Sequence, residues 1–363
     1  MTFDRAEIEV LALCAWCRDL PVHGCKNIPA EIIEVLLERK LIRQSKNGLG
    51  YRCTPEAFEL LHRAEMEFTQ DKTYRTNSDA LTRRMQMAEI TSFFWRYGAD
   101  VFENSPPAKT DKNLFLPSFV FRRQKHSNIL GATNLTGFYY AENTVFVPYY
   151  IARENNGVYP DVEQRTFRSE LLLSGRRPHI IYTGDGDLDK IIETVSYKKE
   201  RSKKSTTFYY KDAIDRFNCP VALMPLTEDG MRQLRILSVP DYRQHLVKNI
   251  LGGNYIPPIS AQSDGRNKTD NFIIGIDCNI IRFENAVKSG KPTKIFVLPF
   301  QAESVQEMVR GTKAKCYVIN LRETEEFLGL SNDLPKINYK PFQTGKGEYI
   351  HVPSLGKNKK SGR

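Results

Sequence analysis

The stretch Pro29-Ala-Glu-Ile-Ile-Glu-Val-Leu-Leu-Glu-Arg-Lys-Leu-Ile-Arg-Gln-Ser-Lys-Asn-Gly-Leu-Gly-Tyr-Arg-Cys-Thr54 changes its hydrophobic period once. Pro29 suits a first helical turn, and Ile32, Ile33, Leu36 and Leu37 make one apolar stripe, so a helix is expected to run to Lys40. Leu41–Arg43 then reads as a short strand, Lys46-Asn47-Gly48 as a turn, and Gly50–Thr54 as the returning strand. Outward from this centre, Thr54-Pro55 opens a helix over 56–68, with Phe58, Leu61 and Ala64 inward. Upstream, residues 4–19 carry Ile8, Leu11, Ala12, Ala15 and Trp16 at helical spacing.

The order helix, helix, basic hairpin, helix, with Leu-Leu-Glu-Arg-Lys-Leu-Ile-Arg (36–43) followed by Gly-Tyr-Arg-Cys-Thr (50–54), resembles a winged helix-turn-helix. The resemblance implies duplex DNA as partner, with helix 29–40 in the major groove. Between Asp19 and Pro29 there is little room for the middle helix of that motif, so it is expected to be short or missing. Glu31, Glu34 and Glu38 would face outward beside Arg39, and acids repel phosphates. Among the basic residues Arg39, Lys40, Arg43, Lys46 and Arg52, binding is therefore expected to rest more on the hairpin, with Arg43, Lys46 and Arg52 on backbone or minor groove, modest sequence specificity and a steep dependence on salt.

The remaining chain predicts a larger mixed domain. A polar linker at 69–80 leads to a helix over 82–97 and an exposed loop at 104–113. From Phe115 the period becomes two: strands are expected at 115–123, 135–140, 145–151, 179–183, 221–224, 234–239, 272–277, 294–298 and 316–319. Helices are expected at 164–173, 188–197, 211–217, 302–310 and 322–328, a helix or strand at 242–250, and a loop at 252–270. Strands followed by helices argue for an α+β or α/β class. The expected domains are a winged helix at 1–68, a linker and connecting helix at 69–113, an α/β domain at 114–330 and an irregular basic tail at 331–363.

Composition narrows the function classes. Lys and Arg number 53 against 43 Asp and Glu, a formal net charge of +10, which favours a polyanionic partner where it clusters. It clusters at 39–52, in the last 28 residues, and at 198–211. In the last of these, Lys198, Lys199, Arg201, Lys203 and Lys204 precede Phe208, Tyr209 and Tyr210, so phosphate contacts and base stacking are both available. Arg122, Arg123, Lys125, His126, Arg176 and Arg177 add positive charge at expected strand ends. Seven cysteines, an odd number, fit reduced thiols. No apolar run approaches the ~20 residues that cross a bilayer, and the N-terminus lacks signal-peptide features. A soluble cytoplasmic protein with no membrane partner is expected.

Motifs for chemistry are sparse. Cys14-Ala-Trp-Cys17 with His23, Cys25 and Cys53 lacks common zinc spacing, and small core residues explain it better. Asp185-Gly-Asp187-Leu-Asp189 opens like a calcium loop but has Lys190 and Ser196 where glycine and glutamate are needed. Acids at a helix start account for it. The phosphate-loop pattern Gly-x₄-Gly-Lys-Ser/Thr and the nucleophile elbow Gly-x-Ser-x-Gly do not occur. A metal-dependent nuclease would need paired acids and an acid-x-Lys on adjacent strands. Asp161 and Glu170 are available acids, as are Asp277 and Glu284, with no acid-x-Lys after any of them on an expected strand and Mg²⁺ as cofactor in that reading alone.

Ser-Asn-Ile-Leu-Gly-Ala-Thr-Asn-Leu-Thr-Gly-Phe-Tyr-Tyr (127–140), Val-Phe-Val-Pro-Tyr-Tyr (145–150) and Thr-Phe-Arg-Ser-Glu-Leu-Leu (166–172) resemble the replication-relaxation family of bacterial plasmids and conjugative elements. The resemblance implies a DNA-associated accessory role in replication or maintenance of such an element, and it supplies no catalytic residues. The expected function is thus non-enzymatic DNA binding, with no cofactor. A divergent nuclease is the alternative, and a homodimer module built on Trp16, Ile33 and Leu37 is a third reading.

Overall fold

A computed structural model describes residues 2–22, 26–45, 48–68, 78–105, 113–122, 130, 133–152, 158–167, 173–198 and 208–351. The chain divides into two compact units, residues 1–92 with 336–363, and residues 93–335.

In the first unit, helix α1 (Arg5–Cys17) starts with a capping box. The Asp4 carboxylate accepts from the Glu7 amide at 2.7 Å, and the Glu7 carboxylate accepts from the Asp4 amide at 3.0 Å. Sequence periodicity gave α1 one apolar face, but Ala6, Ile8, Val10, Leu11, Ala12, Leu13 and Cys14 are all buried, so it is the central helix of this unit. Arg18, at φ 73°, ends it. Strand β1 (Leu20–Pro21) follows, then α2 (Ala30–Glu38), β2 (Ile42–Gln44), β3 (Gly50–Cys53) and α3 (Pro55–Arg63). The three strands form an antiparallel sheet in the order β1-β3-β2. Between β1 and α2 the described residues hold a turn at 26–27 and no helix. Gly50 allows close packing, since a Cβ there would meet the Met85 methyl at 2.4 Å.

The segment expected as an irregular tail contributes structure. Asn338 and Lys340 carbonyls accept from the Ala6 and Arg5 amides at 3.0 and 2.8 Å, and Ile350 accepts from the Phe3 amide at 3.0 Å. First-turn amides have no acceptor within their own helix, so this segment satisfies α1 from outside.

The division between units falls within α4 (Ser78–Arg96). The second unit begins with β4 (Leu114–Pro117), α5 (Ser118–Arg122), β5 (Gly137–Tyr140) and β6 (Thr144–Tyr150), the strands forming an antiparallel meander. Helix α6 (Pro160–Phe167) leads to β7 (Arg177–Thr183), parallel to β6. Helices α7 (Leu188–Ser196) and α8 (Tyr210–Ile214) lead to β8 (Val221–Leu223), parallel to β7. After α9 (Glu228–Ser238) and α10 (Tyr242–Leu251) comes a second sheet. It is built from β9 (Gly265–Arg266), β10 (Asn271–Ile274), β11 (Thr293–Val297) and β12 (Ala314–Val318), with α11 (Ile280–Lys288) and α12 (Ala302–Val309) as crossovers and α13 (Leu321–Phe327) last. Its order is β12-β11-β10-β9; β10, β11 and β12 are parallel and β9 is antiparallel.

The two sheets share one apolar core. The Leu223 amide donates to the Asp277 carbonyl at 2.9 Å, and Gln233 Nε2 donates to both the Leu223 and Ile276 carbonyls. The mixed α and β content agrees with the expected class. Three local readings need correction. Leu234–Val239 is not a strand: Thr227 caps α9, whose Met231, Leu234 and Leu237 recur at helical spacing. Residues 115–123 split into β4 and α5. Helix α11, read from neither period, is capped by Asn279 and buries Ile280, Phe283 and Ala286.

Candidate nucleic-acid interface

The basic positions around the hairpin separate into two classes. Asp19 is wholly buried, with Arg52 Nε at 2.5 Å from one carboxylate oxygen and Arg84 Nε at 2.8 Å from the other. Arg39 Nη1 lies 3.0 Å from the Glu7 carboxylate, and its guanidinium sits 4.6 Å from the centre of the Phe3 ring. Arg39 and Arg52 therefore join elements of the fold. Lys40 and Arg43 are exposed, and among the described residues no carboxylate lies within ion-pair distance of either. Lys40 takes a left-handed conformation (φ 56°) that ends α2, its carbonyl accepting from the Thr54 hydroxyl at 3.0 Å. Arg43 faces Arg52 across the β2–β3 ladder. Like charges opposed on a sheet repel, and Asp19 relieves this by engaging Arg52. The Glu56 carboxyl is held below its usual range, first by its own backbone amide, then by the Thr54 hydroxyl, with the Arg43 charge adding to both. Lys46 lies outside the described residues.

The outward face of α2 carries Glu31, Glu34 and Glu38, all exposed, and the Tyr339 hydroxyl lies 3.4 Å from Glu31. Trp16, Ile33 and Leu37 are half-buried, Trp16 edge-on to Phe68 with centroids 6.0 Å apart.

At the second basic segment, Lys198 pairs with Asp212 at 3.2 Å and stands over the Tyr209 ring. Tyr210 is buried, and Arg216 covers Phe208 at 3.9 Å, so these aromatics belong to the packing. Lys199, Arg201, Lys203 and Lys204 lie outside the described residues, as do Arg123, Lys125 and His126. Arg122 donates to the Thr133 carbonyl at 2.8 Å, and buried Arg176 donates to the Ala141 carbonyl at 2.9 Å.

For the nuclease alternative, Asp161 is exposed in the first turn of α6, strands β5 and β6 carry no acid, and Glu170 is outside the described residues. Among the described residues no three His, Cys, Asp or Glu side chains converge as metal ligands. Cys14 meets Cys53, which together with burial holds its thiol well above the usual range; His23 and Cys25 are outside the described residues. Each acid of the Asp185–Asp189 stretch has a local partner: Asp185 pairs with Lys190, Asp187 caps α7, and Asp189 accepts from the Ser304 hydroxyl.

Two buried polar groupings go beyond the sequence reading, which held Asp277 only as a candidate nuclease acid. Glu163 accepts from the Tyr149 hydroxyl at 2.7 Å and the Asn134 amide at 2.9 Å. Burial pushes its carboxyl up to about 7 against those bonds and the Arg122 charge. Asp277 is paired with both Arg243 and Arg282, and Arg282 also reaches Asp264 at 2.7 Å. His179 lies close to that network, where burial first, then the Arg243 charge, pushes its imidazole down to about 4 against the opposing Asp277 charge. In the first grouping Glu163 is 14 residues from Tyr149 and 29 from Asn134; in the second, Arg243 is 34 residues from Asp277 and Arg282 is 18 from Asp264, separations that leave no local pattern.

Comparisons of the chain with protein-family models, curated proteins and solved structures returned no match.

Proposed function

We propose that the chain is a DNA-binding accessory protein that holds the duplex backbone through the β2–β3 hairpin, with Lys40 and Arg43 as phosphate contacts. The observation that carries this reading is that these two cations stay exposed with no carboxylate at ion-pair distance among the described residues, while Arg39 and Arg52 are taken up inside the same unit. The element order helix, strand, helix, hairpin, helix supports the winged-helix resemblance, and the lack of a helix among the described residues between β1 and α2 fits its shortened form. The acidic face of α2 argues against deep entry into the major groove. Backbone contacts place the protein without reading sequence, which suits an accessory role in replication or maintenance of a plasmid or conjugative element.

The test is fluorescence anisotropy with labelled duplexes of several sequences at two salt concentrations. Lys40→Ala with Arg43→Ala should weaken all duplexes about equally and reduce the salt slope by up to about two. An unchanged affinity overturns the assignment.

A further inference from the structure

The second sheet has one covered face and one that is covered only in part. Ile273, Ile295 and Val297 point into the shared core with Phe283 of α11 and Val305 and Val309 of α12. The opposite face carries Phe272 on β10, Phe296 and Lys294 on β11, and Tyr317 and Lys315 on β12. Helix α10 packs on β10, and Phe272 is buried. Exposure rises from there: Phe296 is half-buried and Tyr317 is 38% exposed.

The three rings form a ladder across the sheet. Phe272 and Phe296 have centroids 5.7 Å apart at 11°, and Phe296 and Tyr317 are 5.3 Å apart at 20°. Lys294 Nζ stands 5.4 Å from the Phe272 centroid and 5.9 Å from that of Tyr317, and it is 3.3 Å from Asp270. Strand β12 is the sheet edge, so the ladder ends at Tyr317 with nothing stacked on its outer side among the described residues. A further planar group would fit there at the same spacing, about that of a neighbouring strand.

Charge selects the occupant. Residues 288–318 carry Lys288, Lys291, Lys294, Arg310, Lys313 and Lys315 against Glu303 and Glu307; Arg310 pairs with Glu307, Lys288 with Glu284 and Lys294 with Asp270, which leaves Lys291, Lys313 and Lys315 outside those pairs. Lys315 on the edge strand, with Lys313 just before it, opposes pairing with a second copy of the same edge. An aromatic face flanked by lysines suits a base with phosphates on either side.

We propose that this edge is a stacking site for single-stranded nucleic acid, with an unpaired base continuing the Phe272–Phe296–Tyr317 ladder and flanking phosphates meeting Lys294, Lys313 and Lys315. The site lies in the second unit and stands apart from the duplex reading of the hairpin.

The experiment is anisotropy of the full chain with short labelled oligo-dT and oligo-rU at low salt, beside the duplex. At least one oligonucleotide should bind. Tyr317→Leu should weaken it about tenfold, Tyr317→Phe should restore it, and Lys313→Ala with Lys315→Ala should flatten its salt dependence. Preference for dT or rU identifies which strand is held. Arg43→Ala should leave oligonucleotide affinity unchanged, and Tyr317→Leu should leave duplex affinity unchanged, so each reading can fail alone. No binding of either oligonucleotide, or equal affinity of Tyr317→Leu and the parent with an unchanged thermal melt, overturns the proposal.

Discussion

Arg52 meets Asp19 at 2.5 Å, and the carboxylate is wholly buried while the guanidinium keeps a quarter of its surface exposed. The pair joins β3 to the residue that precedes β1, and Arg84 closes it from α4. Arg43, directly across the ladder, has no such partner among the described residues. Removing Arg52 leaves Asp19 with Arg84 alone, a buried charge half compensated. Arg52→Ala should therefore destabilise the protein by about 1–3 kcal/mol, whereas Arg43→Ala should stay within about 0.5 kcal/mol. Urea unfolding of both variants, read beside duplex affinity, should show stability lost in one and binding in the other.

Glu163 gives stability a pH dependence of unusual sign. Its folded pKa of about 7 lies above the ordinary carboxyl value of 4.5, so the folded state keeps a proton that the unfolded chain has released. Stability should fall as pH rises through that window, by up to about 3 kcal/mol. Glu163→Gln keeps an oxygen for the Tyr149 hydroxyl and the Asn134 amide and removes the titration. Denaturant midpoints between pH 4.5 and 7 should slope downward in the parent relative to the variant. Parallel profiles would sink the assignment.

His179 acts in the opposite direction. Its folded pKa of about 4 lies below the ordinary 6.5, so the unfolded chain binds the extra proton between those values. Its contribution is complete above about pH 6.5 and is lost as pH falls towards 4. The two windows overlap, so the parent profile between pH 4.5 and 6.5 should be flatter than either single variant. His179→Phe should remove the acid-side loss and leave the falling limb of Glu163 visible. If His179→Phe instead steepens the loss below pH 6.5, the imidazole is charged in the fold.

These two groups mark the boundary of what could be read from the residues. The elements carrying a clear period, such as α2 with Ile32 and Leu36, were legible because burial of one face follows from spacing alone. The run Leu234–Val239 was misread because a short apolar stretch fits helix and strand alike; the cap at Thr227 decides it. At the hairpin, the charge of Arg39, Arg43 and Arg52 was legible, but their division was not. Which cation remains exposed depends on Glu7 and Asp19, each more than thirty residues from its partner. Tertiary pairing of that kind leaves no local pattern.

The C-terminal segment was expected to be irregular, and its contacts with α1 give it a measurable load. Asn338, Lys340 and Ile350 supply carbonyls to the Ala6, Arg5 and Phe3 amides, and the Phe342 amide returns a bond to the Phe3 carbonyl at 2.9 Å. Each such bond is worth about 0.5–1.5 kcal/mol net. A chain ending at Pro335 loses all four, and the α1 amides at its first turn revert to water. Its first unit should lose about 2–6 kcal/mol, by the same figures. Hydrogen exchange should show faster exchange at Phe3, Arg5 and Ala6, with amides of β7 in the second unit unchanged. Equal exchange at Arg5 and Ala6 in the two chains would mean that the segment lies beside α1 without holding it.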